Sequence, residues 1–592
     1  MSKYSLTALF FLAISPLIIV GQNTSLESPI CNVEVARLLV DQQVTESRNV
    51  EDTDKRIQIL IRSADFAWKF DQPTARDFFT EAFKVATDRY HEKGLEKKQE
   101  NGLTTLLSDY RFAVIRAIAK RDSAWARRLI EQLLKEYEKD ATDRNEADRG
   151  RELSEILNIA VASVKTNPDL SWYLFRRAMR ERADYFWQWT LYSVASQDRA
   201  FGNALYTELI ANYANETPRR MLFLSAYPFG NPRIVGVDKY QTASQVPEGF
   251  VPDEGLQIRF LTTFLDRALS YANDPTNLNA APDQNRQPEP VYLISALGDL
   301  QPVVVQTFPM LLPRLSEATA RAIGMLSDDM RQGMADREKW KGSQSATFDD
   351  RLAELEKADK EGKLTDSMIL NLLISRSNTD EQFKKLESWL DKVRDQTARQ
   401  EMRNYFWFLR SKLAIKESRL DDAEKFAAKV PELEHRAILL FEVIEQRLKN
   451  MNDRSSALQA IDDVDRVVRK SEDSVAKARV LLGLAAIYEK VNHISAMDEL
   501  AEAVNVTNHV AKGDMLSSTI MRQIRTEGLV AFASFSMPGY DLENTFDQIS
   551  KNDFEMSLTN AKALDDKFYR TIAVLAIAKN CVDKPKLKLA TR

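Results

Sequence analysis

Glycine and proline are both scarce, at 18 and 19 residues in a chain of 592. Folds that cradle phosphates or turn tightly between strands spend glycine freely. Their shortage weighs against doubly wound, P-loop and β-barrel architectures, and for helices joined by short connections. No GxGxxG, GxxxxGK[ST] or GxSxG occurs, which removes the ordinary dinucleotide, P-loop and hydrolase-elbow readings. Only four histidines are present, His91, His435, His493 and His509, with no HExxH pair, and two cysteines cannot build a typical zinc site. No cofactor and no metal is therefore expected. An excess of one charge is also missing: 82 basic and 87 acidic side chains leave a net −5. A nucleic-acid partner, which needs a clustered basic face, is not expected.

The two cysteines, Cys31 and Cys581, stand near opposite ends of the chain. An oxidising compartment would permit a bridge, but only if the two ends come together. An open superhelix holds its ends apart, so two free buried thiols are expected. Export itself is suggested by the N-terminus. Lys3 precedes an apolar run from Leu6 to Val20, and Gly21 offers a small exit residue before polar Gln22, Asn23 and Thr24. This is the pattern of a signal peptide over residues 1–21, and the run falls short of the ~20 residues of a full membrane span. Ile19 is not the small residue preferred before a cleavage point, so an uncleaved N-terminal anchor stays open. No other transmembrane span is expected, and the mature protein is placed in the periplasm or outside the cell.

What the chain does contain is helical periodicity. Ile57, Leu60, Ile61, Ala64 and Ala67 share one helical face, Asp71-Gln72-Pro73 interrupts, and Ala75, Phe78, Phe79, Ala82, Phe83 and Ala86 follow. Asp71 is suited to cap the second helix, where proline is tolerated in the first turn. The layout returns with Asp122 before Ala126 and Leu129, and with Asp198 before Gly202 and Leu205. In all three a small residue follows the capping Asp by four positions, where it lets helices approach closely. The C-terminal half repeats a related register, with Ala423, Ala457 and Ala496 separated by 34 and 39 residues. Such a period is how a solenoid of helix pairs shows itself.

The run Leu484-Ala485-Ala486-Ile487-Tyr488, with Asn492 at the turn and Ala496 and Ala503 beyond it, resembles the tetratricopeptide-like repeats. It departs by one residue in the turn, Asn492 replaces the usual glycine, and no closing proline follows. The resemblance covers Tyr405 to Thr507. It implies a right-handed superhelix whose concave face binds peptides or proteins. The whole chain is also similar to uncharacterised secreted helical-repeat proteins of bacteria, which implies a fold and no activity.

Twelve of the nineteen prolines lie between Pro218 and Pro313. Within that stretch Tyr227–Gly255 and Asn273–Pro290 have little helical periodicity, and long loops inside an array are often functional. The first carries Tyr227, Phe229, Tyr240 and Phe250 and is expected to pack on the helices. Val303 to Leu312 reads as a broken buried helix. The organisation expected is a signal peptide over 1–21, an N-terminal array over 22–217, a Pro-rich region over 218–313 and a C-terminal array over 314–592. The fold class is all-α, an array of antiparallel helix hairpins forming an α-solenoid.

Paired carboxylates are the remaining candidates for chemistry: Asp328-Asp329, Asp349-Asp350, Asp421-Asp422, Asp462-Asp463-Asp465 and Asp565-Asp566. None completes a DDxxD spacing, and most read as helix caps. No catalytic residue is assigned. The densest aromatic stretch runs from Trp172 through Tyr173, Phe175, Tyr185, Phe186, Trp187 and Trp189 to Tyr192, with Arg176, Arg177, Arg180 and Arg182 interleaved. Aromatic faces and guanidinium forks suit a binding groove. Core packing explains Phe175, Phe186 and Trp189 as well. The candidate binding set is Trp172, Arg176, Arg180, Trp187, Tyr227, Phe229 and Tyr240. The function expected is an exported, non-catalytic scaffold for a protein or peptide partner. The alternative is a carbohydrate lyase or glycosidase on an (α/α) toroid, whose two carboxylates need no short motif. A toroid would bring Cys31 near Cys581, whereas a solenoid would not.

Overall fold

The computed structural model describes residues 31–583 apart from 95–96, 101–102, 107–108, 140–145, 182–183, 232–233, 236–245, 248, 280–287, 328–347, 375–378, 451–452, 511–512 and 538–539. The expected signal segment, the Asp328-Asp329 pair and Tyr240 lie outside the described residues. None of the described helices is long and apolar enough to cross a membrane.

The chain is all-α in architecture. The first array runs through α1 (Val33–Ser47), α2 (Thr53–Ala67), α3 (Gln72–Lys93), α4 (Tyr110–Ala119), α5 (Ser123–Lys139), α6 (Glu146–Ser163), α7 (Pro168–Arg180), α8 (Trp187–Ala195) and α9 (Arg199–Tyr213). Short turns α10 (Pro218–Met221) and α11 (Ala226–Phe229) lead to α12 (Glu254–Asn273), α13 (Glu289–Thr307) and α14 (Leu312–Gly324). The turns and helices of this stretch pack back on the first array, α10 and α12 on α9 and α11 on α8, while α12 and α13 both pack on α14. Between α3 and α4 lies a two-stranded antiparallel hairpin, β1 (Lys97–Glu100) and β2 (Leu103–Leu106).

Local chemistry starts these helices where the sequence places the caps. The side chain of Asp71 accepts from the amide of Thr74 at 3.2 Å, Asp122 from Trp125 at 2.9 Å and Asp198 from Phe201 at 2.9 Å. The small residues four positions on, Ala75, Ala126 and Gly202, are buried. At Gly202 the reason is closeness: a Cβ there would lie 2.8 Å from Tyr227 Oη and 3.2 Å from Ala195 Cβ.

A second relation ties each repeat to the next. In most of the series, the residue five positions after one cap reaches the next cap along, which in the hairpins opens the second helix. Asn32 caps α1, and Arg37 bonds Asp71 at 2.7 Å; Arg76 bonds Asp122 at 2.6 Å; Asn203 donates to Asp253, the cap of α12, at 3.0 Å. The guanidinium of Arg76 also lies 5.2 Å from both the Trp68 and Trp125 rings. The series is broken at Asn167, where the cap carries no charge and its amide donates to Ala119 O at 2.8 Å instead.

The second array comprises helices Phe348–Lys360, Asp366–Ile374, Asp380–Leu390, Gln396–Lys416, Leu420–Ala427, Leu433–Lys449, Arg454–Arg469, Val475–Tyr488 and His493–His509, then Leu542–Ile549, Phe554–Lys562 and Lys567–Asp583. The register alanines Ala423, Ala457 and Ala496 are fully buried. Asp453 stands at the N-cap of the helix at Arg454, and Asn492 caps the helix at His493. The Asp462-Asp463-Asp465 group stands inside the helix Arg454–Arg469 and caps nothing.

Two features depart from the expectation. A hairpin of β3 (Thr519–Thr526) and β4 (Leu529–Ser536) interrupts the helices, with Gly528 at φ +86° in its turn. Along β3, Ile520, Arg522, Ile524 and Thr526 are buried in strict alternation, the two-residue period of a half-buried strand. On β4, Phe535 packs 4.2 Å from the Phe408 ring, and Arg522 pairs with Glu432 at 2.9 Å.

The second departure is at the chain ends. Cys31 and Cys581 form a disulfide rather than two free thiols. The expectation assumed separated ends, but α1 and α2 pack directly on the last helix, Lys567–Asp583. Thr571 donates to Gln43 at 3.0 Å, Lys55 pairs with Asp566 at 3.2 Å, and Arg62 pairs with Glu543 at 3.0 Å. The first and last helices share one hydrophobic core, in which Val40, Val44, Ile57, Ile572 and Ala576 all take part.

Candidate functional site

Of the seven residues singled out by the sequence, the structure brings three together. Trp172, Arg176 and Arg180 follow one another at four-residue spacing along α7, which places them on one helical face. With Asp169, Tyr173 and Arg177 of the same helix and Arg127 of α5 they line a recess of about 420 Å³. Tyr240 lies outside the described residues, and the remaining three do not join them. Trp187 is fully buried and donates its indole N–H to Tyr213 Oη at 3.0 Å. Tyr227 is buried beside Tyr206, with its hydroxyl 2.9 Å from Asn203 Oδ1. Phe229 is half-buried, edge-on to Phe260 at 6.1 Å. These three are core residues, because the stretch around Tyr227 fills the space between α8, α9 and α12. Phe250 closes that space from above, 5.1 Å from Tyr192 and 5.4 Å from Tyr227, under the guanidinium of Arg199 at 3.9 Å. Trp189 shows the opposite outcome: equally at home in a core by spacing, it is 43% exposed.

The groove owes its character to the break at Asn167. By the five-residue relation Arg127 stands where Arg76 stands one repeat earlier, but the next cap offers no carboxylate. Arg127 instead lies over the Tyr173 ring at 4.0 Å and donates through Nε to Glu131 at 3.0 Å. Trp172, the equivalent residue of the following repeat, stacks on Phe201 at 4.7 Å. The Arg176 guanidinium lies 5.4 Å from the Trp172 ring and forks onto Glu208 at 2.7 and 3.1 Å. Arg177 pairs with Glu181 at 3.1 Å. Among the described residues Arg180 has no ion-pair partner, and it is exposed. The hydrogen bond that Arg127 donates to Glu131 holds Arg127 above its ordinary pKa, and the one to Glu208 does the same for Arg176. Partial burial, then the neighbouring Glu131, raises the Tyr173 hydroxyl, which stays a neutral donor. The groove thus presents four guanidinium groups against one lining carboxylate, Asp169. It can bind and orient an anionic group.

Sequence reasoning missed Arg127 because it lies on another helix. Its signal was available in the register: it is five residues past the cap Asp122, and the next cap is Asn rather than Asp.

A larger recess of about 1280 Å³ lies between residues 364–367, residues 394–401 and the tip of the β3–β4 hairpin. Arg394 and Arg525 face Asp366, Asp395, Glu401 and Glu527 there, and no aromatic side chain lines it. Two of those carboxylates already serve the backbone. Asp366 accepts from the amides of Arg394 and Asp395 at 2.9 and 3.0 Å, and Asp395 accepts from that of Ala398 at 2.7 Å. No group of three or more metal-binding side chains occurs among the described residues.

Acidic side chains do converge inside the second array. Glu499, buried, is bound by Arg469, which also pairs with Asp465 at 2.6 Å, and Tyr488 approaches Asp462 at 3.4 Å. Burial first, and then the charge of Asp465, push the Glu499 carboxyl up to about 7. This group joins three helices of the array and opens into neither recess.

No protein-family model matches the chain, and no curated protein matches it at significant similarity.

Proposed function

We propose that this chain is an exported, non-catalytic scaffold that binds a protein or peptide partner on the surface of its helical repeats, at the groove between α5 and α7. The observation that carries this reading is the convergence of guanidinium and aromatic side chains from two successive hairpins onto one accessible recess. Rigid helices hold those side chains, which suits recognition. Export is supported by the Cys31–Cys581 disulfide, since cytosolic thiols are kept reduced, and by the apolar run before Gly21. The tetratricopeptide-like resemblance of Tyr405–Thr507 agrees with a protein-binding role.

The test is retention of partners from envelope and secreted extract on the chain starting at Gln22, beside a Trp172→Ala/Arg176→Glu variant. A saturable partner lost with the variant supports the reading. Equal retention by both forms sinks it.

The (α/α)-toroid enzyme remains a second reading on one observation, the joining of the chain ends at Cys31 and Cys581. Release of reducing ends or unsaturated uronides from acidic polysaccharides, with saturation kinetics, would favour it over the scaffold.

A further inference from the structure

We infer that the occupant of the α5–α7 groove is an extended acidic segment of a protein partner, with carboxylates at alternate positions. This rests on the binding reading above and adds the chemistry of the ligand.

Three observations lead there. The first is charge: Arg127, Arg176, Arg177 and Arg180 line the recess against Asp169 alone. The second is the source of that charge. Elsewhere in the first array the arginine five residues past a cap is consumed by the next capping carboxylate, as in Arg37–Asp71 and Arg76–Asp122. At Asn167 the capping carboxylate is missing, so the ladder delivers Arg127 to the surface of α7 instead of to a cap. Arg127, Arg176 and Arg177 are answered by Glu131, Glu208 and Glu181 outside the recess lining, whereas Arg180, one turn beyond Arg176, carries no ion pair among the described residues.

The third is the state of the aromatic rings. Sugar recognition would want an open aromatic platform. Here the Tyr173 ring carries the Arg127 guanidinium at 4.0 Å, while Trp172 is stacked on Phe201 at 4.7 Å with Arg176 beside it at 5.4 Å. The rings serve as shelves that hold guanidinium groups by cation–π attraction and turn their remaining donors outward. Forked donors of this kind match carboxylates. Spacing adds a constraint. Residues four apart on a helix are separated by ~6 Å along its axis. Side chains two apart on an extended segment are separated by ~6.6 Å. A segment of the pattern acid–any–acid laid along α7 would set successive carboxylates against Arg176 and Arg180.

The experiment uses the full chain from Gln22 and three fluorescent probes: an eight-residue peptide alternating Glu and Ser, the same peptide with Gln for Glu, and polygalacturonate. Anisotropy titrations are run at about 50 and 200 mM salt. The proposal expects the Glu peptide to bind at least tenfold more tightly than the Gln peptide and to weaken with salt. Arg180→Glu should abolish that preference, while Arg466→Glu, on an exposed helix face of the second array, should leave it unchanged. Equal binding of the Glu and Gln peptides, or Glu-peptide binding indifferent to Arg180→Glu, overturns the proposal. So does an Arg180-dependent preference for polygalacturonate over the Glu peptide, which would assign the groove to anionic glycans. An extract partner lost with Arg180→Glu, when the Glu peptide fails to bind, overturns the acidic-segment inference alone. A partner retained despite Arg180→Glu and Trp172→Ala overturns the groove itself.

Discussion

Cys31 and Cys581, separated by 550 residues in sequence, lie with Cα atoms 5.1 Å apart and are covalently joined. The bridge ties the start of α1 to the last helix, across an interface that also holds Lys55–Asp566 and Arg62–Glu543. Cross-linking such distant residues removes much freedom from the unfolded chain and contributes about 2–4 kcal/mol in typical cases. Cys31→Ser or Cys581→Ser should therefore lower the unfolding midpoint, and reducing agent should lower the wild type to the same value. Thiol titration of the untreated, denatured protein should find no free thiol. Two reactive thiols there would refute the bridge.

Glu499 makes the second array pH-sensitive. Its carboxyl is raised from the ordinary 4.5 to about 7, so the folded protein holds this proton more tightly than the unfolded chain. The stabilisation is fully present below pH 4.5 and is lost as pH rises through about 7. At ~1.4 kcal/mol per unit the loss is on the order of 3 kcal/mol. Glu499→Gln removes the titrating group, so urea midpoints at acid and neutral pH should converge in that variant. An unchanged pH slope would show that the site does not titrate in this range.

His435 acts in the opposite sense. It is buried edge-on to Phe408 and Phe535, at the seat of the β3–β4 hairpin. Burial, followed by the charge of Arg522, lowers its pKa from 6.5 to about 4. Its contribution is present above pH 6.5 and is lost as pH falls through about 4. Hydrogen exchange of Thr519–Ser536 should accelerate on acidification in the wild type and much less in His435→Phe. Equal acceleration in both would place the acid-sensitive contact elsewhere.

Two glycines in helices should respond oppositely to alanine. At Gly483 a Cβ would lie 2.6 Å from Phe441 Cε2 and 3.3 Å from Tyr540 Cδ1. Phe441 is buried and cannot withdraw. Gly483→Ala should cost about 1–3 kcal/mol, the usual penalty of overpacking. At Gly298, inside α13, a Cβ would meet nothing within 4 Å. Gly298→Ala should be neutral or stabilising by up to ~1 kcal/mol, since alanine favours helix. Thermal melts of the two variants check the pair.

The site was legible in part. That Trp172, Arg176 and Arg180 share a face follows from the helical period alone. Whether a face looks inward or outward does not, because aromatic residues repeat at the same spacing in cores and at surfaces. Trp187 and Trp189 illustrate this: two positions apart, one is fully buried and the other is 43% exposed. Tyr227 stands in a stretch without helical period, so no spacing assigns its face, and the approach of Gly202 and Asn203 draws it into the core. The β3–β4 hairpin was written in the alternation of Ile520, Arg522 and Ile524 but was passed over, since a helical array surrounds it on both sides.

The sequence by itself determined the helices and their starts, because caps such as Asp71, Asp122 and Asp198 act on amides only three residues away. It also determined the repeat register, because small residues at Ala75, Ala126 and Gly202 are needed wherever helices approach closely. Tertiary structure alone decided that Cys31 meets Cys581. That meeting depends on the accumulated path of many helix pairs, where small differences in crossing angle add up over the whole chain and no local residue carries the sum.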